Sequence, residues 1–252
     1  MFSETFIKLW NNNGDIVVTI WGTDYTVFSE TFLKLVDSGD FARAIWETVY
    51  MTLVATGFSY LFGLSLGIVL SVTGDGGIKP IKWLNTVLGF VVNIFRSIPF
   101  IVLMVAMLPV AKLVVGRSIG NGAMIVMLVI AATPYIARMV ESSIKEVGAG
   151  VIEAAHAMGT PTFKIITKVL IPEAKPSLIV GAVISIVTIL GYSAMASTIS
   201  AGGLGAMAII YGHQRTNPDI IWISCILIVI IVQIIQTVGM RIAHKTDKRI
   251  NK

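Results

Sequence analysis

Few side chains in this sequence are placed to do chemistry. The three histidines, His156, His213 and His244, are far apart, and the single cysteine, Cys225, lies inside an apolar run. That spacing offers no transition-metal cluster and no disulfide framework. There is no H-E-x-x-H, no Walker A glycine loop and no nucleophile beside a base. Catalytic residues, a metal site and a bound cofactor are therefore not expected in this chain. GGLGAM at 202–207 has some glycines of a dinucleotide fingerprint, but that fingerprint needs a preceding strand in a βαβ unit. Here it joins two apolar stretches. Two features remain. One is Arg96, the single charge in an apolar stretch from 83 to 111. The other is 151–172, VIEAAHAMGTPTFKIITKVLIP, the largest polar interruption of the chain.

The second feature has a clear internal build. Val151, Ala154, Ala155 and Met158 recur at helical spacing. Gly159 suits the left-handed residue that ends a helix. Thr160 reads as an N-cap and Pro161 as the first position of a second helix. That helix carries Phe163, Ile165, Ile166, Val169 and Leu170, and Pro172 is expected to close it. Arg96 sits in FRSIPF, with Pro99 three residues on. A proline removes a backbone hydrogen bond and kinks a helix. A cation beside such a kink either faces the bundle interior, where it marks a pathway, or snorkels to an interface. The interior reading is the one expected here.

The elements that must hold these residues follow from composition. The chain has 252 residues, 55% of them hydrophobic and 13% charged, and its mean hydropathy is +0.84. Soluble domains carry about 25% charged residues, so an all-α integral membrane protein is expected. A run of 27 uncharged residues at 48–74 exceeds the ~20 that cross a bilayer. It contains GLSLG at 63–67, a spacing that lets two helices approach closely, or else ordinary glycine enrichment of membrane helices. The remaining spans are expected at about 83–111, 118–137, 176–200 and 220–240, which makes five. Residues 201–205 read as a bend and 206–219 as a connection. Tyr192, Ser193 and Met195 lie beside Gly191 in the fourth span. They either face a translocation path or pack within the bundle.

Residues 1–46 are the least hydrophobic part. FSETFIKL at 2–9 returns as FSETFLKL at 28–35, with seven of eight positions identical. The spacing of Phe6, Leu9, Phe32 and Leu35 predicts two short amphipathic helices. They would lie on a membrane or a partner, or belong to a poorly constrained extension from a local duplication. The tail beyond 240 holds five basic residues and one acidic.

Five spans put the two ends on opposite sides. Twelve of the 19 Lys and Arg lie in 75–82, 138–175 and the tail; six lie on the other side, and Arg96 is the remaining one. The positive-inside bias puts 151–172 and the C-terminus in the cytoplasm and the N-terminus outside. The net charge of +5 is thereby assigned to membrane topology rather than to nucleic acid.

Glu153, Ala154 and Ala155, three residues, Gly159, nine residues and then VLIP ending at Pro172 closely resemble the EAA signature of permease subunits of binding-protein-dependent ABC importers, E-A-A-x3-G-x9-I-x-L-P. Val169 and Ile171 stand where Ile and Leu are usual. FRSIPF at 95–100, GYSAMA at 191–196, AGGLG at 201–205 and YGHQR at 211–215 look like the methionine-uptake permeases of that superfamily. The resemblance covers roughly 44–245. It implies an importer transmembrane domain over 47–245, with 1–46 an extracytoplasmic extension and 246–252 a basic cytoplasmic tail. It also implies a homodimer, two copies of a separate ATPase that binds ATP and Mg²⁺, and an extracytoplasmic methionine-binding protein. The coupling helix of the family falls at about 151–159. There Glu153, Ala154, Ala155, Met158, Gly159 and Pro172 would serve ATPase coupling. Arg96, Pro99, Tyr192, Ser193 and Met195 would then line the path. A permease for another amino acid or an osmolyte is the alternative. A self-contained channel or ion-coupled carrier leaves 151–172 unexplained.

Overall fold

The computed structural model describes residues 8–12, 15–20 and 23–246. Its body is helical, as the hydropathy requires. Four helices are long and apolar enough to cross a membrane: α2 (Asp40–Thr73), α6 (Asn121–Lys145), α8 (Thr162–Ile199) and α10 (Pro218–Thr246). A fifth crossing exists if α3 (Lys82–Ser97) and α4 (Phe100–Ala106) count as one bent span. Short helices complete the chain: α1 (Glu30–Asp37), α5 (Leu108–Val115), α7 (Ala149–Ala157) and α9 (Leu204–His213). The connection expected at 206–219 is thus largely the end of a helix.

The N-terminal segment differs from the expected pair of amphipathic helices. Residues 2–7 of the first FSETF copy lie outside the described residues. Lys8 and Leu9 belong to a strand, β1 (Lys8–Asn12), which pairs antiparallel with β2 (Asp15–Ile20). β2 pairs antiparallel in turn with β3 (Thr23–Phe28), and the register shifts at Ile16/Val17. The second copy does form a helix. Ser29 caps α1, its Oγ accepting from the Phe32 N–H at 3.1 Å. Lys8 and Leu9 differ in state from their counterparts Lys34 and Leu35 because neighbouring chain decides it: DIVVTI supplies a β partner for the first pair, while the second pair leads into α2. Ser29 also donates from N–H (2.8 Å) and Oγ (2.9 Å) to the buried Asp219 Oδ2, which ties α1 to the start of α10. Leu35, Phe41, Ala44, Leu204, Met207 and Ile220 form a small core beneath α1.

The main core lies between α2, α6 and α8, and glycines set its spacing. A Cβ on Gly67 would lie 2.5 Å from the Ala137 carbonyl oxygen, and one on Gly63 would lie 2.6 Å from Ile136 Cγ2. GLSLG is therefore a close helix contact within this chain. Between α2 and α8, Tyr60 O–H donates to the Leu178 carbonyl at 2.6 Å. Exposed Trp46 and Trp222 stand at the end where α2 and α10 begin, and exposed Trp83 stands at the opposite end. Tryptophan collects at both membrane interfaces, so these residues frame the apolar layer.

Two proline expectations are corrected. The second span is broken at Pro99, not merely kinked: α3 and α4 meet at 106°. A residue before proline is pushed to extended backbone, and Ile98 adopts φ −83°, ψ 126°, which ends α3. Pro172, by contrast, closes nothing. The helix begun at Thr162 runs through it into the fourth span. Residues Ile166–Leu170 form a π segment, and the Ile171 N–H bonds to the Ile166 carbonyl one residue further back than in an α-helix. That wide turn makes room for the proline ring. The polar loop is correspondingly short, because α6 extends to Lys145 and α8 starts at Thr162.

Overpacking a helix contact costs about 1–3 kcal/mol. Gly67→Leu is therefore expected to lower the Tm of the detergent-solubilised protein by about 5 °C. Gly57→Ala, with open space around its Cα, should leave it unchanged; thermal unfolding followed by fluorescence checks both.

Candidate functional site: the α6–α7–α8 end of the bundle

The last two turns of α6 form a charged platform. Glu141 is buried and accepts from Arg138 Nη1 and Lys145 Nζ, both at 2.7 Å. Arg138 Nη2 also donates to the Gly89 carbonyl at 3.0 Å and to Asn93 Oδ1 at 3.1 Å. α3 is thereby pinned to α6. Beyond the platform, Ser177 Oγ donates to Glu146 Oε2 at 2.9 Å and holds α8, near its middle, against the residue that follows α6.

α7, a helix of nine residues, follows this platform. Its stop is the expected one. Gly159 has φ +72°. The Gly159 N–H bonds to the His156 carbonyl at 2.8 Å and the Thr160 N–H to the Ala155 carbonyl at 3.1 Å. These two bonds form a Schellman cap. The next start is shifted by one residue: Pro161, not Thr160, holds the cap position, and its carbonyl accepts from Lys164 and Ile165. The fixed φ of proline, with an extended ψ of 146°, places that carbonyl over the first turn.

The faces of α7 sort the site residues. Ala155 is 3% exposed and joins the main core with Ile165 and Leu170. It seats α7 on α8 and is not available to another chain through its side chain. Glu153, Ala154 and Gly159 are exposed, and Met158 is 77% exposed. Pro172 is exposed but lies on α8 beyond the π segment. Phe163 is 75% exposed on the first turn of α8, next to this face in sequence. It was not singled out from the sequence because it reads as one of several apolar residues on an amphipathic helix. Its signal was its place just after the glycine turn. Val151, Met158 and Phe163 are large apolar groups on the polar end of the molecule, where exposed apolar surface marks an interaction site.

The residues expected along a path are only partly brought together. Phe100, next to Pro99, stacks on Tyr192 with ring centroids 4.6 Å apart and planes 5° apart. Thr198 Oγ1 donates to the Met195 carbonyl at 2.7 Å and lies 3.7 Å from Met104 Sδ. Pro99, Tyr192 and Met195 thus share the region where α4 meets the end of α8. Ser193 does not present its hydroxyl there. It is buried and donates to the Leu190 carbonyl at 2.7 Å. Arg96 is exposed in the last turn of α3 and not in the interior of this chain. α3 stops two residues later at Ile98, and a cation is favoured against the carbonyls of a helix C-terminus.

At the other end of the bundle the glycine bend is more than a connection. The Gly202 N–H donates to Asn121 Oδ1 at 2.7 Å and the Leu204 N–H to Thr48 Oγ1 at 2.8 Å. Gly203 has φ +104°. The bend thus clamps the starts of α2 and α6, and a polar cleft of about 440 Å³ opens there beside Arg43, Glu47, Asn121, Ser200 and Tyr211. Arg43 Nε donates to Glu47 Oε1 at 3.1 Å. Among the described residues no group of His, Cys, Asp and Glu is arranged to hold a metal.

Left-handed backbone costs a residue with a Cβ about 1–2 kcal/mol. Gly159→Ala is therefore expected to speed amide exchange at Gly159 and Thr160 by about tenfold, and Gly159→Asn by less, as hydrogen–deuterium exchange would measure.

Comparison with known proteins bears on this arrangement. Residues 59–252 match the family described as binding-protein-dependent transport system inner membrane component. A probable D-methionine transport system permease protein of Vibrio cholerae is 45% identical over 206 residues, covering 82% of this chain and 92% of that protein. A methionine import system permease protein of Bacillus subtilis is 42% identical over 220 residues, covering 87% and 99%. A solved structure of inward-facing conformations of a methionine ABC transporter superposes with a TM-score of 0.83 at 42% identity, over 88% of this chain and all of that one. An amino acid ABC transporter at 20% identity (TM-score 0.70) shares the fold. This chain belongs to the family of inner membrane components of binding-protein-dependent transport systems.

Proposed function

We propose that this chain is the permease subunit of an ATP-driven importer that moves methionine into the cell by alternating access. It works as a homodimer with two copies of a separate ATPase and an extracytoplasmic methionine-binding protein. ATP and Mg²⁺ belong to the ATPase, since no Walker A loop exists here. The end carrying α7 faces the cytoplasm, as does the basic tail at 246–252, and residues 1–46 form an extracytoplasmic extension on the transmembrane domain at 47–245. The twelve-to-six distribution of basic residues supports that orientation.

One observation carries the reading. An exposed surface of Glu153, Ala154, Met158 and Phe163 is joined without a flexible segment to a membrane-crossing helix. α7 is seated on α8 through Ala155, and α8 continues for 38 residues to Ile199. At 1.5 Å per residue it spans about 57 Å. A partner that grips α7 and closes on ATP therefore moves α6 and α8 as rigid levers. Such a rigid-body change exposes a central site to one side and then the other. Met158 and Phe163 supply apolar anchors, the small Ala154 permits close approach, and Glu153 offers a charge for a basic group or a helix N-terminus on the partner. Arg96, Pro99, Tyr192 and Met195 are the residues proposed to face the substrate path between the two copies. Methionine as cargo follows the relatives at 42–45% identity.

Phe163→Asp with Met158→Asp is expected to leave membrane insertion intact and to reduce co-purification of the ATPase at least about tenfold, since removing two interface anchors costs about 2 kcal/mol or more. Undiminished co-purification would remove α7 from the interface. The cargo is tested in proteoliposomes holding this chain, its ATPase and its binding protein. ATP-dependent uptake of labelled methionine should exceed that of leucine or glycine betaine, and equal rates would remove the methionine assignment.

A further inference from the structure

The exposed side of α10 carries a feature outside the elements described above. A groove of about 460 Å³ runs between α8 and α10, lined by Val180, Val183, Ile184, Gln236, Thr237 and Met240. Its floor is a close helix crossing: a Cβ on Gly239 would lie 2.2 Å from Val183 Cγ2. Gln236 and Thr237 are exposed on a helix that crosses the membrane, and neither side chain has a hydrogen-bond partner among the described residues. One turn from the exposed Arg241 they stand at the edge of the apolar layer, where their polar atoms are open to a partner outside the bundle.

We propose that the groove binds one anionic phospholipid. Polarity along α10 follows the order of groups in such a molecule. Arg241 lies one turn beyond Thr237 and Lys245 one turn beyond Arg241, and both are exposed. They hold the phosphate. Thr237 and Gln236 sit about 6–8 Å deeper along the axis, at the depth of the glycerol esters, whose oxygens accept from the hydroxyl and the amide. Val180 and Ile184 flank an acyl chain that continues over Ile234 and Ile230, which are exposed on the next turns. Paired cations recognise a phosphate and an apolar slot recognises a chain, so a soluble anion fits only one part, and a zwitterionic lipid brings a headgroup cation that Arg241 and Lys245 repel. The leaflet that supplies the lipid rests on the orientation proposed above, whereas the site itself does not. A second copy of this chain is the competing occupant, reaching Gln233 and Gln236 in place of the lipid.

The assembled transporter, purified in mild detergent, is incubated with phosphatidylglycerol, phosphatidylcholine or glycerol 3-phosphate and examined by native mass spectrometry, independently of transport. Phosphatidylglycerol should be retained in preference to phosphatidylcholine. Arg241→Gln and Lys245→Gln should each lower retention about fivefold. Ile184→Trp, which narrows the groove from an exposed wall, should also lower it. Full retention by Ile184→Trp would mean that the basic tail alone holds the headgroup. Competition by glycerol 3-phosphate would mean a free-phosphate site. A disulfide between copies carrying Gln236→Cys in a Cys225→Ser background would assign the groove to the second copy. Each of these three results overturns the lipid site.

Discussion

A helix in hydrocarbon must satisfy its own backbone, because no water is present to do so. The form of this bundle follows from how each proline meets that constraint. Pro134 and Pro176 are absorbed inside long helices. Pro172 is accommodated by a π segment, so α8 remains one lever from the α7 turn to Ile199. Pro99 is not absorbed. Ile98 turns extended, the chain bends by 106°, and the Val102 and Leu103 N–H groups re-anchor on the Pro99 carbonyl. The same residue type therefore makes a continuous rod in one span and a hinge in another. The difference lies in whether the preceding turn widens or breaks.

The two ends of the bundle are held by opposite means. At the α7 end, charge does the fixing: Glu141 is shared by Arg138 and Lys145, and Arg138 reaches α3. A buried ion pair contributes little net stability, and its use is to define one arrangement. Here it holds α3 against α6. At the α1 end, backbone N–H groups do the fixing. The glycine bend donates to Asn121 and Thr48, and Ser29 donates to Asp219. A cleft of about 440 Å³ opens there, and a smaller one of about 200 Å³ lies between the end of α6 and α8 at the α7 end.

Much of the site was legible because it depends on local rules. Gly159 had to be the left-handed stop of α7, since a Schellman cap needs only residues close in sequence. Glu153 and Met158 were singled out because they stand in the stretch that resembles the EAA signature, and both are exposed. The burial of Ala155 was not legible, because which alanine faces the core depends on where α8 lies. Phe163 was missed for the same reason: an apolar residue on an amphipathic helix becomes an anchor only if nothing in its own chain covers it. Arg96 was expected in the interior from its cost in hydrocarbon; within one chain it is exposed at the end of α3.

By itself the sequence determined that the chain crosses a membrane, where its apolar spans lie and which polar element interrupts them. Length and hydropathy act residue by residue and need no partner. It determined the α7 stop and the close-packing capacity of GLSLG, because glycine acts through its own backbone. Tertiary structure alone decided that Gly63 and Gly67 meet α6, that Pro172 lies within a lever and that Pro99 marks a break. It also decided that the 151–172 element presents Met158 and Phe163 while hiding Ala155. Each of those outcomes is set by what a distant helix places opposite the residue, and spacing along one chain does not carry that information.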